Sequence, residues 1–173
     1  MELKDIRNVR EIKEIANHAS IDSLFFNELF LNIKNENERI AYNASWAAGH
    51  LLQKYSNYNL DNYLPILIAT ASDTIKGGLK RNIFKILQHI RIPSDYQYDC
   101  ADLAINALLN PKEDIAVRAF ALSILEKLIP SIPELIDEVL FIIEKEKAYA
   151  TPAFAVRSIR FEKAAAKYRK NKA

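Results

Sequence analysis

Apolar residues recur every three or four positions along nearly the whole chain, and no segment keeps a clean alternation of apolar and polar residues. This period is that of the α-helix rather than the β-strand. Prolines and N-cap residues separate the periodic segments, as Thr151-Pro152 does before the last one. The pattern predicts nine antiparallel helices joined by short loops, near residues 2–18, 21–34, 37–55, 60–71, 74–91, 95–110, 113–129, 132–146 and 151–170.

The predicted helices fall into two interleaved series that share one period. Alternate helices carry equivalent apolar residues spaced by 39, 38 and 39 positions, namely Ile40, Leu79, Val117 and Val156. The helices between them carry a second set spaced by 39, 39 and 38 positions, namely Phe25, Leu64, Leu103 and Phe141. The shared period predicts a helix pair repeated about four times, in which each pair covers the apolar face of the next.

Two segments resemble the HEAT-repeat family. Asp114-Ile115-Ala116-Val117-Arg118 is similar to that family's second-helix signature, and Leu64-Pro65-Ile66-Leu67 is similar to its first helix. The resemblance covers roughly residues 21–170. It implies an all-α fold, a right-handed α-solenoid (an α-α superhelix) of about four antiparallel helix pairs, with the second helices on the concave face. We expect a single domain over 1–173, comprising an N-terminal capping helix over 1–20, repeats over 21–170 and a tail over 171–173.

The composition narrows the possible classes further. Three glycines are too few for most β-sandwiches and for glycine-rich phosphate loops, and the single cysteine, Cys100, excludes a disulfide framework and a cysteine-based zinc site. The longest apolar stretches are too short to cross a bilayer, and residues 1–20 contain no apolar signal segment. We therefore expect a soluble cytoplasmic protein without a membrane partner.

The net charge of +2 conceals an uneven distribution. Residues 157–173 carry a net charge of +6, and the first 156 residues carry −4. A basic end on an acidic body is able to bind phosphate groups. It also has a structural reading, because lysine and arginine near a helix C-terminus offset the helix dipole and keep a terminal helix soluble.

One polar stripe on the predicted helix 37–55 lies apart from its apolar face. The stripe consists of Arg39, Asn43, Trp46 and His50, and a shift of 39 positions turns it into Gly78, Asn82, Lys85 and His89. Trp46 is the only tryptophan in the chain and is a candidate anchor for a partner. In the alternative interpretation the stripe packs between repeats, where buried amides and imidazoles bond loop carbonyls.

A second group of candidates is cationic. Lys80, Arg81 and Lys85 lie in a helix without acidic residues, and with Arg157 and Arg160 they form a candidate site for a phosphate backbone or an acidic peptide. Alternatively, these side chains form an ordinary solvated face. For Arg118 and Arg157, the family resemblance implies a ladder of ion pairs between repeats, with Glu113, Asp114 and Asp73 as available partners.

The sequence contains no recognisable catalytic set. The three histidines lack a metal-binding spacing, and no nucleophile elbow, Walker loop or HExxH motif occurs. Cys100 has no basic neighbour, which indicates an inert packed thiol. We expect no catalytic residue, metal or cofactor.

The function predicted from these patterns is a non-catalytic scaffold or adaptor that binds a protein or peptide on the concave face. Its candidate contacts are Arg39, Asn43, Trp46, His50, Arg81, Lys85 and His89. The alternative is binding of DNA or RNA through the basic C-terminal helix and the candidate cations Lys80, Arg81, Lys85, Arg157 and Arg160. The enzymatic form of this alternative is a DNA glycosylase that removes alkylated bases. HEAT-like enzymes of that kind place an Asp beside aromatic residues, and Asp73 is the acid that could serve here.

Overall fold

The computed structural model describes residues 2–55, 57–147 and 150–172, and the fold of these residues is all-α, without a β-strand. All nine expected helices are present. They are α1 (Val9–Ile21), α2 (Ser23–Leu31), α3 (Glu38–Lys54), α4 (Leu64–Asp73), α5 (Gly77–His89), α6 (Gln97–Leu109), α7 (Ile115–Leu128), α8 (Leu135–Glu146) and α9 (Pro152–Lys172). The last helix includes Asn171 and Lys172, which had been assigned to the tail.

Side-chain caps determine where several helices begin. Asn8, Asp22, Asn37 and Asp114 each accept a hydrogen bond from backbone N–H groups in the first turn of the helix that follows. Each cap of this kind contributes about 1 kcal/mol, because the first N–H groups of a helix have no partner within it. The polar capping residues therefore determine the residue at which each of these four helices begins.

The first helix begins later than its apolar pattern predicts. Asn8 Oδ1 accepts hydrogen bonds from the N–H groups of Arg10 (3.0 Å) and Glu11 (3.1 Å). The Glu11 carboxylate in turn accepts one from the Arg7 N–H at 2.7 Å. This capping arrangement starts α1 at Val9 and leaves Leu3–Asp5 as a separate 3-10 turn.

The described residues form two compact units, unit 1 up to Ile92 and unit 2 from Pro93. In unit 1, α3 packs between α1 and α5, while α2 packs against α1 and α3, and α4 packs against α5. The core of this unit includes the fully buried Phe30, Leu51 and Phe84. Burying each such side chain contributes roughly 1.5–3 kcal/mol. A single domain over 1–173 stays a prediction.

Unit 2 contains two helix pairs, α6 with α7 and α8 with α9, and α7 packs against α9. The repeat positions Leu103 and Val117 are buried in it. Their counterparts in the last pair, Phe141 and Val156, are 60% and 58% exposed. The apolar repeat positions are therefore buried in α6 and α7 but exposed in α8 and α9.

Candidate functional site

The outward side of α3 carries three of the expected partner-binding residues in one line. Arg39, Trp46 and His50 are seven and four positions apart, which places them on the same side of a helix. Arg39 is exposed, whereas Trp46 and His50 are half-buried. Because α1 and α5 both contact α3, the line runs between neighbouring helices; we call the surface formed by α1, α3 and α5 the unit 1 face.

A groove of about 480 Å³ opens beside Trp46, and we call it the Trp46 groove. Its lining consists of Ile6, Arg7, Glu38, Arg39, Tyr42, Asn43, Trp46, Lys76, Gly78 and Leu79. The rings of Tyr42 and Trp46 lie 5.8 Å apart. Lys76 is ion-paired with Glu38, so the remaining cations of the lining are those of Arg7 and Arg39. A lining that combines two aromatic rings with two arginines suits a ligand that is both apolar and negatively charged.

Gly78 gives the ring of Tyr42 its place in this groove. A Cβ atom added at Gly78 would lie 2.9 Å from Cε2 of Tyr42, closer than real Cβ contacts allow, whereas one added at Gly77 would meet no atom within 4 Å. Tyr42, Arg7 and Gly78 were not among the site residues expected from the sequence. Two of them carried a signal, since Tyr42 lies four positions before Trp46 and Gly78 is the counterpart of Arg39 after a shift of 39 positions.

Asn43 is a correction to the expected site, because it is only 3% exposed. Its Nδ2 donates a hydrogen bond to the Leu3 carbonyl at 2.8 Å, and the Arg39 guanidinium donates one to the Ile6 carbonyl at 3.0 Å. The equivalent Asn82 is also buried and donates to Ser45 Oγ at 3.1 Å. The Asn43 amide therefore joins the N-terminal segment to α3, and the Asn82 amide joins α5 to α3.

A second groove, of about 510 Å³, lies between α1 and α3, and we call it the Lys13 groove. Its lining consists of Lys13, Ala16, Asn17, His50, Leu51, Gln53, Lys54 and Tyr55, a set with no aspartate or glutamate. Burial lowers the pKa of the His50 imidazole, and the positive charges of Lys85 and Lys13 lower it further. Lys85 reaches this region from α5, and burial also lowers the pKa of its ammonium group.

The remaining candidates on α5 lie outside both groove linings. Lys80, Arg81 and His89 are half-buried. His89 Nε2 lies 3.3 Å from Nε2 of Gln88. The helix therefore brings Lys85 close to His50 but does not bring Arg81 or His89 into either groove.

Asp73 is the acid considered for a glycosylase, and it lines a third cavity of about 560 Å³ together with other residues of α3, α4 and α5. Trp46 does not line this cavity, and Asp73 does not line the Trp46 groove. The structure thus fails to place the candidate acid in one site with the aromatic residue, an arrangement that the glycosylase reading needs.

In unit 2, Arg118 has a different acidic partner from the one expected. Its guanidinium pairs with Glu146 at 2.9 Å and donates to the Leu108 carbonyl at 3.0 Å. Asp114 instead accepts a hydrogen bond from the Ala116 N–H at 2.7 Å as the cap of α7. A carboxylate held by the first turn of its own helix is not placed to serve the ladder.

Two of the three arginines of α9 contact side chains of α7. Arg157 donates a hydrogen bond to Ser123 Oγ, and Arg160 pairs with Glu126 at 3.4 Å. Arg169, near the end of the helix, pairs with Asp137 at 2.6 Å. Much of the basic C-terminal charge is therefore already in contact with acids and hydroxyls of unit 2.

Several chemical possibilities find no support in the described part of the chain. Cys100 is buried, and burial together with Asp99 raises the pKa of its thiol to about 12. Residues 2–55, 57–147 and 150–172 contain no cluster of three His, Cys, Asp or Glu side chains arranged for a metal ion. None of the helices in these ranges combines the length and the apolar character that a membrane span requires.

Helix pairs that repeat with a period of 38 or 39 residues and pack against one another define a helical-repeat protein. A family profile described as a HEAT repeat domain matches residues 1–164, and the chain belongs to the HEAT-repeat family. No curated protein and no solved structure matches the chain. HEAT repeats form helical scaffolds that typically mediate protein interactions, and the family is generally non-catalytic.

Proposed function

We propose that this protein is a non-catalytic adaptor that binds an extended acidic segment of a partner protein along the unit 1 face. The observation that carries this proposal is the lining of the Trp46 groove, where the rings of Tyr42 and Trp46 share one lining with Arg7 and with Arg39, whose guanidinium bonds the Ile6 carbonyl. A tryptophan that is half-buried in the free protein gains further burial when a partner covers it, which is typical of residues that dominate binding energy.

The groove is also held in shape before a ligand arrives. The hydrogen bond from Arg39 to the Ile6 carbonyl fixes the guanidinium, and the bond from Asn43 to Leu3 fixes the N-terminal segment that forms the opposite wall. A preformed site loses less conformational entropy on binding. The segment then places one apolar side chain against Trp46 and its carboxylates against the two arginines.

Binding of a nucleic-acid backbone is less well supported by the geometry. That function needs several free cations, because each neutralised phosphate contributes to affinity through counterion release. In unit 2, Arg160 and Arg169 would have to leave Glu126 and Asp137. The Trp46 groove needs no such rearrangement to accept an acidic peptide.

The proposal is tested with a random peptide display library selected on the immobilised full chain. Selected peptides are expected to combine one aromatic or large aliphatic residue with aspartate or glutamate. Because Trp46 is the only tryptophan, its intrinsic fluorescence reports directly on occupancy of the groove. Selection without acidic enrichment, or binding that leaves Trp46 fluorescence unchanged, would contradict the proposal.

A pair of neighbouring glycines supplies matched variants for the same assay. Gly78→Ala displaces the Tyr42 ring and is expected to weaken binding of the selected peptides by about tenfold. Gly77→Ala changes the same helix start in open space and should leave the affinity unchanged. Circular dichroism checks that both variants keep their helical content. If DNA or RNA oligonucleotides alter Trp46 fluorescence and acidic peptides do not, the nucleic-acid alternative replaces this one.

A further inference from the structure

The Lys13 groove gathers positive charge from three helices. Lys13 comes from α1, His50 and Lys54 come from α3, and Lys85 approaches His50 from α5. The amide side chains of Asn17 and Gln53 complete the polar lining, and Lys54 Nζ lies 3.4 Å from Asn17 Oδ1. Ammonium groups only donate hydrogen bonds, and amide and imidazole groups can donate as well as accept them, so the lining is able to receive an acceptor.

Acidic side chains do not balance this charge. Within the described residues, none of the four groups Lys13, His50, Lys54 and Lys85 forms an ion pair. The nearby acids of α1 are engaged at its start, because Glu14 pairs with Arg10 and Glu11 bonds Asn8 and the Arg7 N–H. Like charges held together without a counter-charge repel one another, and a bound anion would remove that cost.

The dipole of α3 explains only part of the cluster. Carbonyl groups at a helix C-terminus attract a cation, and Lys54 in the last turn of α3 has this role. Lys13 lies in the body of α1 and Lys85 in the body of α5, so neither is placed by the dipole of its own helix, and Lys13 shares the groove with the last residues of α3. The dipole of α3 does not account for Lys85, which approaches His50 from α5.

We propose that the Lys13 groove is an oxyanion subsite that receives the phosphoryl group of a phosphorylated serine or threonine in the partner segment; this rests on the proposed function above. A carboxylate carries one negative charge, whereas a phosphoryl group carries nearly two and offers three acceptor oxygens. Donors on several sides of one groove match the second group better than the first. A nucleic-acid backbone would instead favour a row of cations along the surface.

The position of the subsite constrains the partner sequence. The rings of Trp46 and His50, which line the two different grooves, lie 6.3 Å apart, so the grooves adjoin along α3. From Tyr42 in one lining to Gln53 in the other is 11 residues of helix, or roughly 16 Å at the helical rise. The distance between the two ligand groups therefore lies between about one helical turn, roughly 5 Å, and roughly 16 Å. An extended peptide spans this range with about two to five residues. The phosphorylated residue should lie that far from the apolar anchor.

The test uses matched peptide pairs derived from the display selection, identical except for serine or phosphoserine two to five positions from the anchor. With the full-length protein, we expect the phosphorylated member to bind about tenfold more tightly in calorimetry. Lys13→Ala and Lys54→Ala should each remove most of this preference while leaving the affinity for the serine peptide nearly unchanged. Lys112→Ala removes an exposed lysine of unit 2 and serves as the control.

The outcomes separate the two proposals. Equal binding of both peptides overturns the subsite and leaves the proposed function intact, whereas failure of both peptides overturns the two together. Inorganic phosphate supplies a second readout, because an anion beside His50 should raise the imidazole pKa followed by NMR, with His50→Gln assigning the signal. If inorganic phosphate raises this pKa but the phosphopeptide gains no affinity, the groove binds a free phosphate and the phosphopeptide proposal is wrong. A 5′-phosphorylated oligonucleotide that outcompetes the phosphopeptide would also overturn it.

Discussion

His50 shows how neighbours change the chemistry of a single residue. The imidazole is half-buried, and Lys13 and Lys85 face it from α1 and α5 without an acid among the groups that shift its pKa. Both burial and like charge disfavour protonation, so the pKa of His50 lies below its ordinary value in the folded chain. The sequence pattern placed His50 and Lys85 on one candidate surface, but it did not indicate that Lys13 of α1 also lies near His50.

The lowered pKa of His50 predicts a pH dependence of stability. The unfolded chain binds a proton at the ordinary histidine pKa, and the folded chain binds it only at lower pH. The contribution of His50 is therefore complete above that ordinary value and is lost as pH falls through it. We expect urea denaturation of His50→Gln to show a smaller stability loss between pH 7 and pH 5 than the unsubstituted chain. An equal or larger loss in the variant would show that His50 is not the group responsible.

Asn43 and Asn82 illustrate the limit of sequence reasoning at this scale. Their recurrence after 39 positions was visible, and so was the possibility that buried amides bond loop carbonyls. The choice between an exposed and a buried amide depends on partners far away in the chain. For Asn43 the acceptor is the carbonyl of Leu3, 40 residues away, which no local pattern identifies.

At the scale of the element, the start of a helix can often be read from its capping residue. Capping residues act on N–H groups two or three positions ahead, so Asn37 and Asp114 mark their helices directly in the sequence. The late start of α1 was also encoded locally, in the Asn8 and Glu11 pair, but the apolar pattern that continues through Ile6 hid it.

The cap of α3 gives a prediction for this element. Asn37→Ala removes the acceptor for the N–H groups of Arg39 and Ile40 and should lower the free energy of unfolding by about 1 kcal/mol. Asn57→Ala, at an exposed position after α3, is the matched control and should stay within about 0.5 kcal/mol. Thermal or urea unfolding measures both, and equal effects would mean that the cap does not stabilise α3.

At the scale of the whole molecule, Arg118 connects four helices of unit 2. It extends from α7 to the Leu108 carbonyl in α6 and to the Glu146 carboxylate in α8, and its guanidinium lies 5.2 Å from the Phe154 ring in α9. The family resemblance implied an arginine ladder at this position, with Glu113, Asp114 or Asp73 as the acid, and Glu146 was not among them. The distance of 28 residues to Glu146 exceeds any local spacing rule.

Loss of this connection should be costly. Arg118→Ala leaves a half-buried carboxylate and a carbonyl without their donor and should lower the free energy of unfolding by about 2 kcal/mol. Arg160→Ala breaks a more exposed ion pair in the same unit and should change the free energy of unfolding by less than about 1 kcal/mol. Urea denaturation of both variants provides the comparison. An Arg118→Ala effect as small as that of Arg160→Ala would show that the junction does not hold the unit together.

The sequence by itself determined the class of fold, the number of helices and the repeat period, because helical periodicity, capping and proline placement act over a few residues and are written locally. It also selected Trp46 and His50 as neighbours on one line. Only the tertiary structure decided that Asn43 is buried, that Glu146 is the partner of Arg118, and that lysines of two other helices converge on His50. These contacts depend on which helices pack together and on how the helices are aligned along one another. The packing and the alignment are set by the fit of whole apolar faces, and no single sequence motif encodes them.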